Sequence, residues 1–389
     1  MKIDQFVWLG DTSLGDTLLG DNSQDETPLP AFDFIPDLLF VFGHRELLEK
    51  EALTQKLVAA YPTARLCGCS TAGEIANESV KDGSAVVTGI QFSSTRLEVA
   101  TVSLQDVGYS SVEAGRTLVA QLPTEGLRHV FVVSDGLKVN GTDLVKGMTQ
   151  QLASEVTVTG GLAGDGPNFS KTVIVEPDGT VAAESVAALG FYGDALTIGF
   201  GSRGGWDSFG LDRRVTRSVE NVLFEIDGEP ALDLYKSFLG EKAKELPASG
   251  LLFPLSMRDR ENSVPVVRTI LGINEEEKSL TFAGDIPEGS FVRLMKANID
   301  RLINGAEEAA VASSEGLSSS PEFALLVSCV GRKLVLKQMV EEEVESVSEV
   351  LKGPVLTGFY SYGELAPFGR NAVCELHNQT MTITTFSEA

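Results

Sequence analysis

The chain has 389 residues and 43% hydrophobic content, enough for two or more domains with real cores. Its formal net charge of −24, from 31 Lys+Arg against 55 Asp+Glu, argues against binding a nucleic-acid backbone or an anionic membrane surface. No apolar stretch approaches the roughly 20 residues of a membrane span, and Met1-Lys2-Ile3-Asp4-Gln5 does not open a signal peptide, so a cytoplasmic location is expected.

Residues 1–34 read as an N-terminal arm, rich beyond residue 10 in Gly, Asp, Ser, Thr and Pro. A first unit follows. It has a strand at Leu38 to Phe42, a helix at Arg45 to Tyr61 with apolar residues at Leu48, Ala52, Leu53 and Leu57, and a stop at Tyr61-Pro62. A second strand then enters the small-residue turn Cys67-Gly68-Cys69-Ser70-Thr71-Ala72-Gly73-Glu74. Two strands at hairpin spacing, 84–92 and 96–104, and a helix over 111–122 lead to a second unit. That unit has a strand at His129 to Val133, a helix at 141–152, a strand at 156–159 and the glycine-rich turn Gly160 to Gly166; strands at 185–192 and 195–200 close it. Glycines at 201, 204 and 205 mark a boundary, giving expected domains of 35–204 and 205–389.

Beyond it, Asp227-Gly228-Glu229-Pro230 turns a β-prone segment into a helix at Ala231 to Leu239. Strands are expected at 250–254, 264–271 and 279–283, then a helix over 300–312. A third unit ends the chain. It has a strand at Phe323 to Val330, a helix at Lys333 to Leu351, a stop at Gly353-Pro354, and an apolar run into Ser361-Tyr362-Gly363-Glu364. The whole reads as a mixed α/β fold: repeated β-α-β-turn-β units forming mixed sheets flanked by helices.

The turns of units one and three end alike, with Gly73-Glu74 and Gly363-Glu364. Both carboxylates are candidates either to cap backbone amides or to bind a ligand's amino group. Ser70 and Thr71 beside Glu74 imitate a nucleophile turn, but no base is identifiable among only three histidines, so no enzymatic activity is expected. The sharpest stretch is His377-Asn378-Gln379-Thr380, four polar residues inside a strand pattern whose apolar phase shifts from Cys374 and Leu376 to Met381 and Ile383. That shift predicts a bulge aiming side chains at a site. His377, Asn378 and Gln379 either clamp the Gly363-Glu364 loop or contact a ligand. Arg268, a lone arginine in an apolar strand, is a partner for a carboxylate, from a ligand or from Glu364. His44 and His129, each beside an arginine, are expected near the surface, and Glu341 to Glu345 on a solvated face. All four cysteines (Cys67, Cys69, Cys329, Cys374) fall in or beside apolar strand patterns, as buried free thiols.

Five motifs in order resemble the FIST family. Gly68-Cys69-Ser70-Thr71-Ala72-Gly73-Glu74-Ile75 and Gly161-Leu162-Ala163-Gly164-Asp165-Gly166 resemble its N-terminal domain. Asp227-Gly228-Glu229-Pro230-Ala231-Leu232 with Tyr235, then Tyr362-Gly363-Glu364 and His377-Asn378-Gln379-Thr380, resemble its C-terminal domain. The resemblance covers roughly residues 35 to 385. It implies a sensory module in bacterial signal transduction, binding a small ligand such as an amino acid and acting on a histidine kinase or a cyclic-di-GMP enzyme. One branch of the family binds haem and responds to nitric oxide, which would make His377 an axial ligand. The residues so implicated in ligand binding are Ser70, Thr71, Glu74, Arg268, Tyr362, Glu364, His377, Asn378 and Gln379.

Overall fold

A computed structural model describes residues 1–10, 29–50, 53–246, 248–259, 265–315, 317, 319–368 and 373–389. Most of the Gly/Asp/Ser/Thr-rich stretch assigned to the arm lies outside the described residues, but residues 2–8 of it form a strand. Unit one comprises β1 (Lys2–Trp8), β2 (Leu38–Gly43), α1 (Arg45–Lys50), α2 (Leu53–Ala60), β3 (Arg65–Ser70), β4 (Glu74–Ala76), β5 (Ser79–Lys81) and β6 (Ala85–Gln91). Unit two comprises β7 (Arg96–Ser103), α3 (Ser111–Ala120), β8 (Leu127–Ser134), α4 (Gly141–Thr149), β9 (Thr157–Leu162), β10 (Ile174–Val175), β11 (Val181–Ala182) and β12 (Ser185–Tyr192).

Unit three opens with β13 (Leu196–Arg203), and an inserted body interrupts it. The insert holds β14 (Asp207–Val219), β15 (Val222–Ile226), β16 (Glu229–Pro230), α5 (Ala231–Leu239), β17 (Leu255–Arg258), β18 (Val266–Arg268), β19 (Ile270–Asn274), β20 (Ser279–Phe282) and β21 (Phe291–Lys296). The unit resumes with α6 (Ile299–Ser314), β22 (Phe323–Cys329), α7 (Val330–Leu336), α8 (Val340–Leu351), β23 (Val355–Ser361), β24 (Gly363–Phe368), β25 (Val373–His377) and β26 (Met381–Glu388).

Each unit supplies four strands of one six-stranded sheet, in the orders β1-β6-β2-β3, β7-β12-β8-β9 and β13-β26-β22-β23. In all three the helix-linked pair (β2–β3, β8–β9, β22–β23) is parallel and the flanking pairs are antiparallel. The remaining two strands of each sheet come from another unit. Hairpin β4–β5 of unit one completes the sheet of unit three, β24–β25 of unit three completes that of unit two, and β10–β11 of unit two completes that of unit one. The result is a cyclic exchange, a pseudo-threefold ring built from one chain. Matching backbone bonds close the three strand ends: His44 N to Ser84 O at 2.8 Å, Asp135 N to Ser185 O at 2.9 Å, and Cys329 N to Thr380 O at 3.1 Å.

The strand compositions follow from this layering. In β2, Leu39 and Val41 face the cluster that holds Leu48, Leu53 and Leu57 of α1 and α2, while Leu38, Phe40 and Phe42 face the centre of the ring. A strand covered on both faces reads as an unbroken apolar run. Phe40 meets Phe131 at 5.6 Å and Phe323 at 5.9 Å between ring centroids, so all three units contribute to one central core. Gly68, Gly160 and Gly358 occupy one register position in the three parallel pairs. A Cβ there would lie 1.8, 2.0 and 1.8 Å from the carbonyl oxygens of Val41, Val132 and Leu326. Gly358→Ala is therefore expected to force the pair apart and to lower stability by about 1–3 kcal/mol, read as a lower urea midpoint.

Several expectations are corrected. His129 is not near the surface. It shares the central register position of Leu38 and Phe323 and is fully buried, with Nδ1 at 2.7 Å from Thr157 Oγ1 and Nε2 at 3.0 Å from Thr159 Oγ1. Burial pulls its pKa down to about 3, so the ring is neutral. The long helix expected in unit three is divided by a 3₁₀ turn at Lys337–Met339 that begins at a positive φ of 54°, while residues 51 and 52 of the helix expected in unit one lie outside the described residues. The apolar run expected as a strand at 250–254 is mostly a 3₁₀ turn, Ala248–Leu252, a distinction that a short apolar run does not encode. All four cysteines are buried and unpaired.

Inside the insert, a curled sheet in the order β18-β17-β21-β14-β15-β20-β19 wraps α5 around Val215, Leu223, Tyr235, Leu280 and Phe282. Among the described residues, no helix is long and apolar enough to cross a membrane.

Candidate functional site

The two turns that match in sequence also match in space. Glu74 opposes Phe359 and Glu364 opposes Gly161, equivalent positions of two sheets. Glu74 Oε1 accepts from Thr71 Oγ1 at 2.5 Å, and its Oε2 accepts from Ser84 N at 3.3 Å and Ser84 Oγ at 2.8 Å. Glu364 repeats the arrangement. Its Oε1 accepts from Ser361 Oγ at 2.6 Å, and its Oε2 from Thr380 N at 3.1 Å and Thr380 Oγ1 at 3.0 Å. Each carboxyl is buried in a cage of one backbone amide and two hydroxyls, with no directly paired cation among the described residues. Desolvation outweighs those hydrogen bonds and raises both groups to about 7. At the third junction the same register position, opposite Cys69, is Ile174, so the pair has no third member.

What covers each cage differs. Over Glu74 lies Lys333, whose Nζ donates to Ala72 O at 2.9 Å and pairs with Asp82. Glu364 lies beneath the β25–β26 turn, and there the inserted body arrives. The polar block is not a bulge within one strand. β25 belongs to the sheet of unit two and β26 to that of unit three, and Gln379 makes the crossing at φ 64°. Changing sheets is what shifts the apolar phase.

The turn is fastened to the insert at several points. Trp206 Nε1 donates to Gln379 O at 3.0 Å, and Gln379 Nε2 donates to Leu251 O at 3.0 Å. Arg268 Nη1 donates to Leu376 O at 3.0 Å and its Nε to Asp285 O at 3.2 Å. Thr269 N donates to Asn378 Oδ1 at 3.4 Å. Unit two joins through the start of α4, where Asn140 Nδ2 donates to Asp285 Oδ1 at 2.9 Å. Among the described residues, four buried atoms at this junction have no hydrogen-bond partner: Asn378 Nδ2, Gln379 Oε1, Thr269 Oγ1 and Thr142 Oγ1. Native interiors hold few such groups, because each forfeits about 1–3 kcal/mol. Arg268 is buried at the same junction, and no carboxylate of the described residues lies within ion-pair distance of it. Burial lowers its pKa to about 10, which still leaves it charged.

The expected ligand residues thus fall into separate places. Arg268, Glu364, His377, Asn378 and Gln379 meet at the insert junction. Ser70, Thr71 and Glu74 lie at the unit-one cage, where Ser70 Oγ accepts from Val173 N at 2.9 Å. Tyr362 stands at a third location. It stacks on Phe169 at 4.3 Å, accepts from Asp165 N at 2.9 Å and donates to Gly166 O at 3.0 Å, thereby pinning the glycine-rich loop. Arg268 does not pair with Glu364. His377 is cross-strand from Glu364, with Nε2 at 3.2 Å from Ala366 O, and burial lowers its pKa to about 4. A haem iron at Nε2 would have to displace that carbonyl, so His377 as placed does not fit axial ligation through that nitrogen. Among the described residues, no group of three or more His, Cys, Asp or Glu side chains is arranged to hold a metal.

Two features escaped the sequence reading. Thr269 follows Arg268 directly but carries no charge to draw notice. Glu343, assigned to a solvated face, is fully buried and pairs with Arg332 Nη2 at 2.7 Å, while its Oε1 accepts from Tyr360 Oη at 2.6 Å. Helical spacing did carry that signal: Glu343 falls on the buried face with Val344, Val347 and Leu351.

Comparison with known proteins gives a consistent assignment. The FIST N domain matches residues 37–229 and the FIST C domain residues 231–367. An uncharacterized protein of Methanocaldococcus jannaschii, MJ1623, is 23% identical over 327 residues, which is 77% of this chain and 62% of that protein. The chain therefore spans less than two thirds of this relative. A solved chorismatase aligns over 100% of this chain and 98% of its own at 10% identity, with a TM-score of 0.32, a likeness too slight to bear on fold or activity.

Proposed function

The chain belongs to the FIST family, whose domains are sensory rather than catalytic, and on that footing we propose that it senses a small carboxylate held where the insert meets the β25–β26 turn. One observation carries this reading: among the described residues, Asn378 Nδ2, Gln379 Oε1 and Thr269 Oγ1 are buried and unpartnered at the junction that also holds Arg268, a buried cation with no ion-pair partner there. A ligand that brings a carboxylate to Arg268, with a donor and an acceptor for the two amides, satisfies all of them at once. An amino acid or hydroxy acid has that set of groups.

Binding there changes what the insert rests on, because Gln379 and Asn378 are among its points of attachment. A signalling protein that touches the insert can read that change. A histidine kinase or a cyclic-di-GMP enzyme is the partner class that the family resemblance implies. The test is a thermal-shift screen of amino and hydroxy acids against their amides. Saturable stabilisation by an acid, absent with its amide, is expected, about 2.7 kcal/mol at a hundredfold excess over Kd. Asn378→Ala should abolish it. Equal shifts with acids and amides, or full retention in Asn378→Ala, would remove the assignment.

A further inference from the structure

The inserted body holds a cavity, away from the junction. Where β14 runs beside β21 the two lose register. Phe209 opposes Leu294 and Arg213 opposes Val292, so residues 210–212 face the single residue Arg293. A bulge of this kind bends a strand away from its partner. The space left is about 210 Å³, bounded by Leu234, Tyr235 and Phe238 of α5 and by Leu255, Val292 and Leu294 of the sheet. An apolar cavity of about 150 Å³ already suffices to stay dry and to bind benzene.

The mouth adds a second property. Leu211 is 80% exposed and Phe238 39%, so apolar surface continues from the floor to solvent. The charged residues lining the cavity, Arg213 and Arg293, are both cationic. Arg213 Nη1 bonds Asp227 Oδ2 at 3.1 Å and Arg293 Nε bonds Asp212 Oδ1 at 2.8 Å. Each of those bonds occupies one of the five N–H donors of a guanidinium and leaves others for a ligand. An apolar floor under a rim of two arginines complements a molecule with a hydrocarbon body and an anionic end.

We propose that this cavity binds a small amphipathic carboxylic acid, with its chain or ring against Leu234, Leu255 and Val292 and its carboxylate at Arg213 and Arg293. It is a site separate from the junction at Asn378 and does not depend on it.

The experiment titrates the full chain with sodium octanoate and, in parallel, with 1-octanol, following the methyl resonances of Leu234, Leu255, Val292 and Leu294. Octanoate should shift these methyls saturably and bind roughly tenfold or more tightly than octanol, the difference one charge-assisted hydrogen-bond pair supplies. The double substitution Arg213→Gln/Arg293→Gln, at partly exposed positions, should reduce octanoate to the affinity of octanol. Leu234→Trp should block both probes. If the four methyls stay still under both, or shift no more than methyls elsewhere in the chain, the cavity is no binding site. If octanoate and octanol bind alike and the arginine substitutions change nothing, the acid specificity is wrong and the proposal falls with it.

Discussion

Glu343→Ala is expected to lower the stability of the chain by about 3–5 kcal/mol, because it leaves the buried guanidinium of Arg332 without its carboxylate. Arg332 is in contact with more than Glu343. It donates to Gly204 O, where the chain leaves the ring for the insert, and its Nη2 donates to Leu302 O at 2.7 Å, where the chain has returned. Glu343 Oε1 also accepts from Ser328 Oγ at 3.2 Å, which ties the pair to β22. One ion pair therefore fixes both crossings of the insert to the helix pair of unit three. Urea unfolding should show the loss as a lower midpoint. The double substitution Arg332→Met/Glu343→Leu should recover much of it, because removing both charges removes the desolvation cost as well. A single substitution that costs under about 1 kcal/mol would mean that water reaches the pair. If the junction is a sensor, the double variant should also weaken the response to ligand more than it weakens the fold.

The legible part of this fold is its local part. The unbroken apolar run Leu38-Leu39-Phe40-Val41-Phe42 announces a strand covered on both sides, and Gly73-Glu74 and Gly363-Glu364 announce two equivalent turns, which the structure builds into two like cages. The hairpin exchange was not legible. Nothing in Glu74-Ile75-Ala76 states that this strand pairs with β23, far along the chain at Thr357 to Phe359, and such pairing is fixed only by the closure of the ring. Ile174 illustrates the same limit. By sequence unit two ends in the glycine-rich turn Gly160 to Gly166, yet by register its counterpart to Glu74 is Ile174, because a longer loop separates turn from strand. Asp165 bonds instead to Arg45 Nε at 3.0 Å, and its pKa is lowered. His129 and Glu343 were misplaced for one reason. A polar residue next to charged neighbours reads as exposed, while its partners, two threonines and an arginine, are distant in sequence or on another helix. The apolar phase shift at His377 was a true signal of irregularity, but a crossing between sheets and a bulge within one sheet leave the same mark on the sequence.

Removing both buried carboxyls should strongly change how stability depends on pH between pH 5 and pH 8. Glu74 and Glu364 titrate near 7 in the folded chain, raised by burial from an ordinary value of 4.5. A raised carboxyl holds its proton in the folded state over a range where the unfolded chain has released it. Its contribution is complete below about 4.5 and is lost as pH rises through 7. Between pH 5 and pH 8 that loss comes to about 2–3 kcal/mol for each group, hence about 5 kcal/mol for the two. The buried imidazoles act in the opposite sense. His129 and His377 are lowered to about 3 and about 4, so their contribution is lost as pH falls below 6.5 and masks part of the carboxyl effect in the native protein. The difference between variant and native protein removes that masking. In Glu74→Gln/Glu364→Gln each amide nitrogen can donate to the hydroxyl of Thr71 or Ser361, and each amide oxygen can accept from Ser84 or Thr380, so the cages survive without a titrating group. Relative to the native chain, the double variant should gain about 5 kcal/mol in unfolding free energy on going from pH 5 to pH 8, and each single variant about half. Parallel curves for native and variant proteins over that interval would show that both carboxyls stay ionised in the fold, with water or an unrecognised cation reaching them.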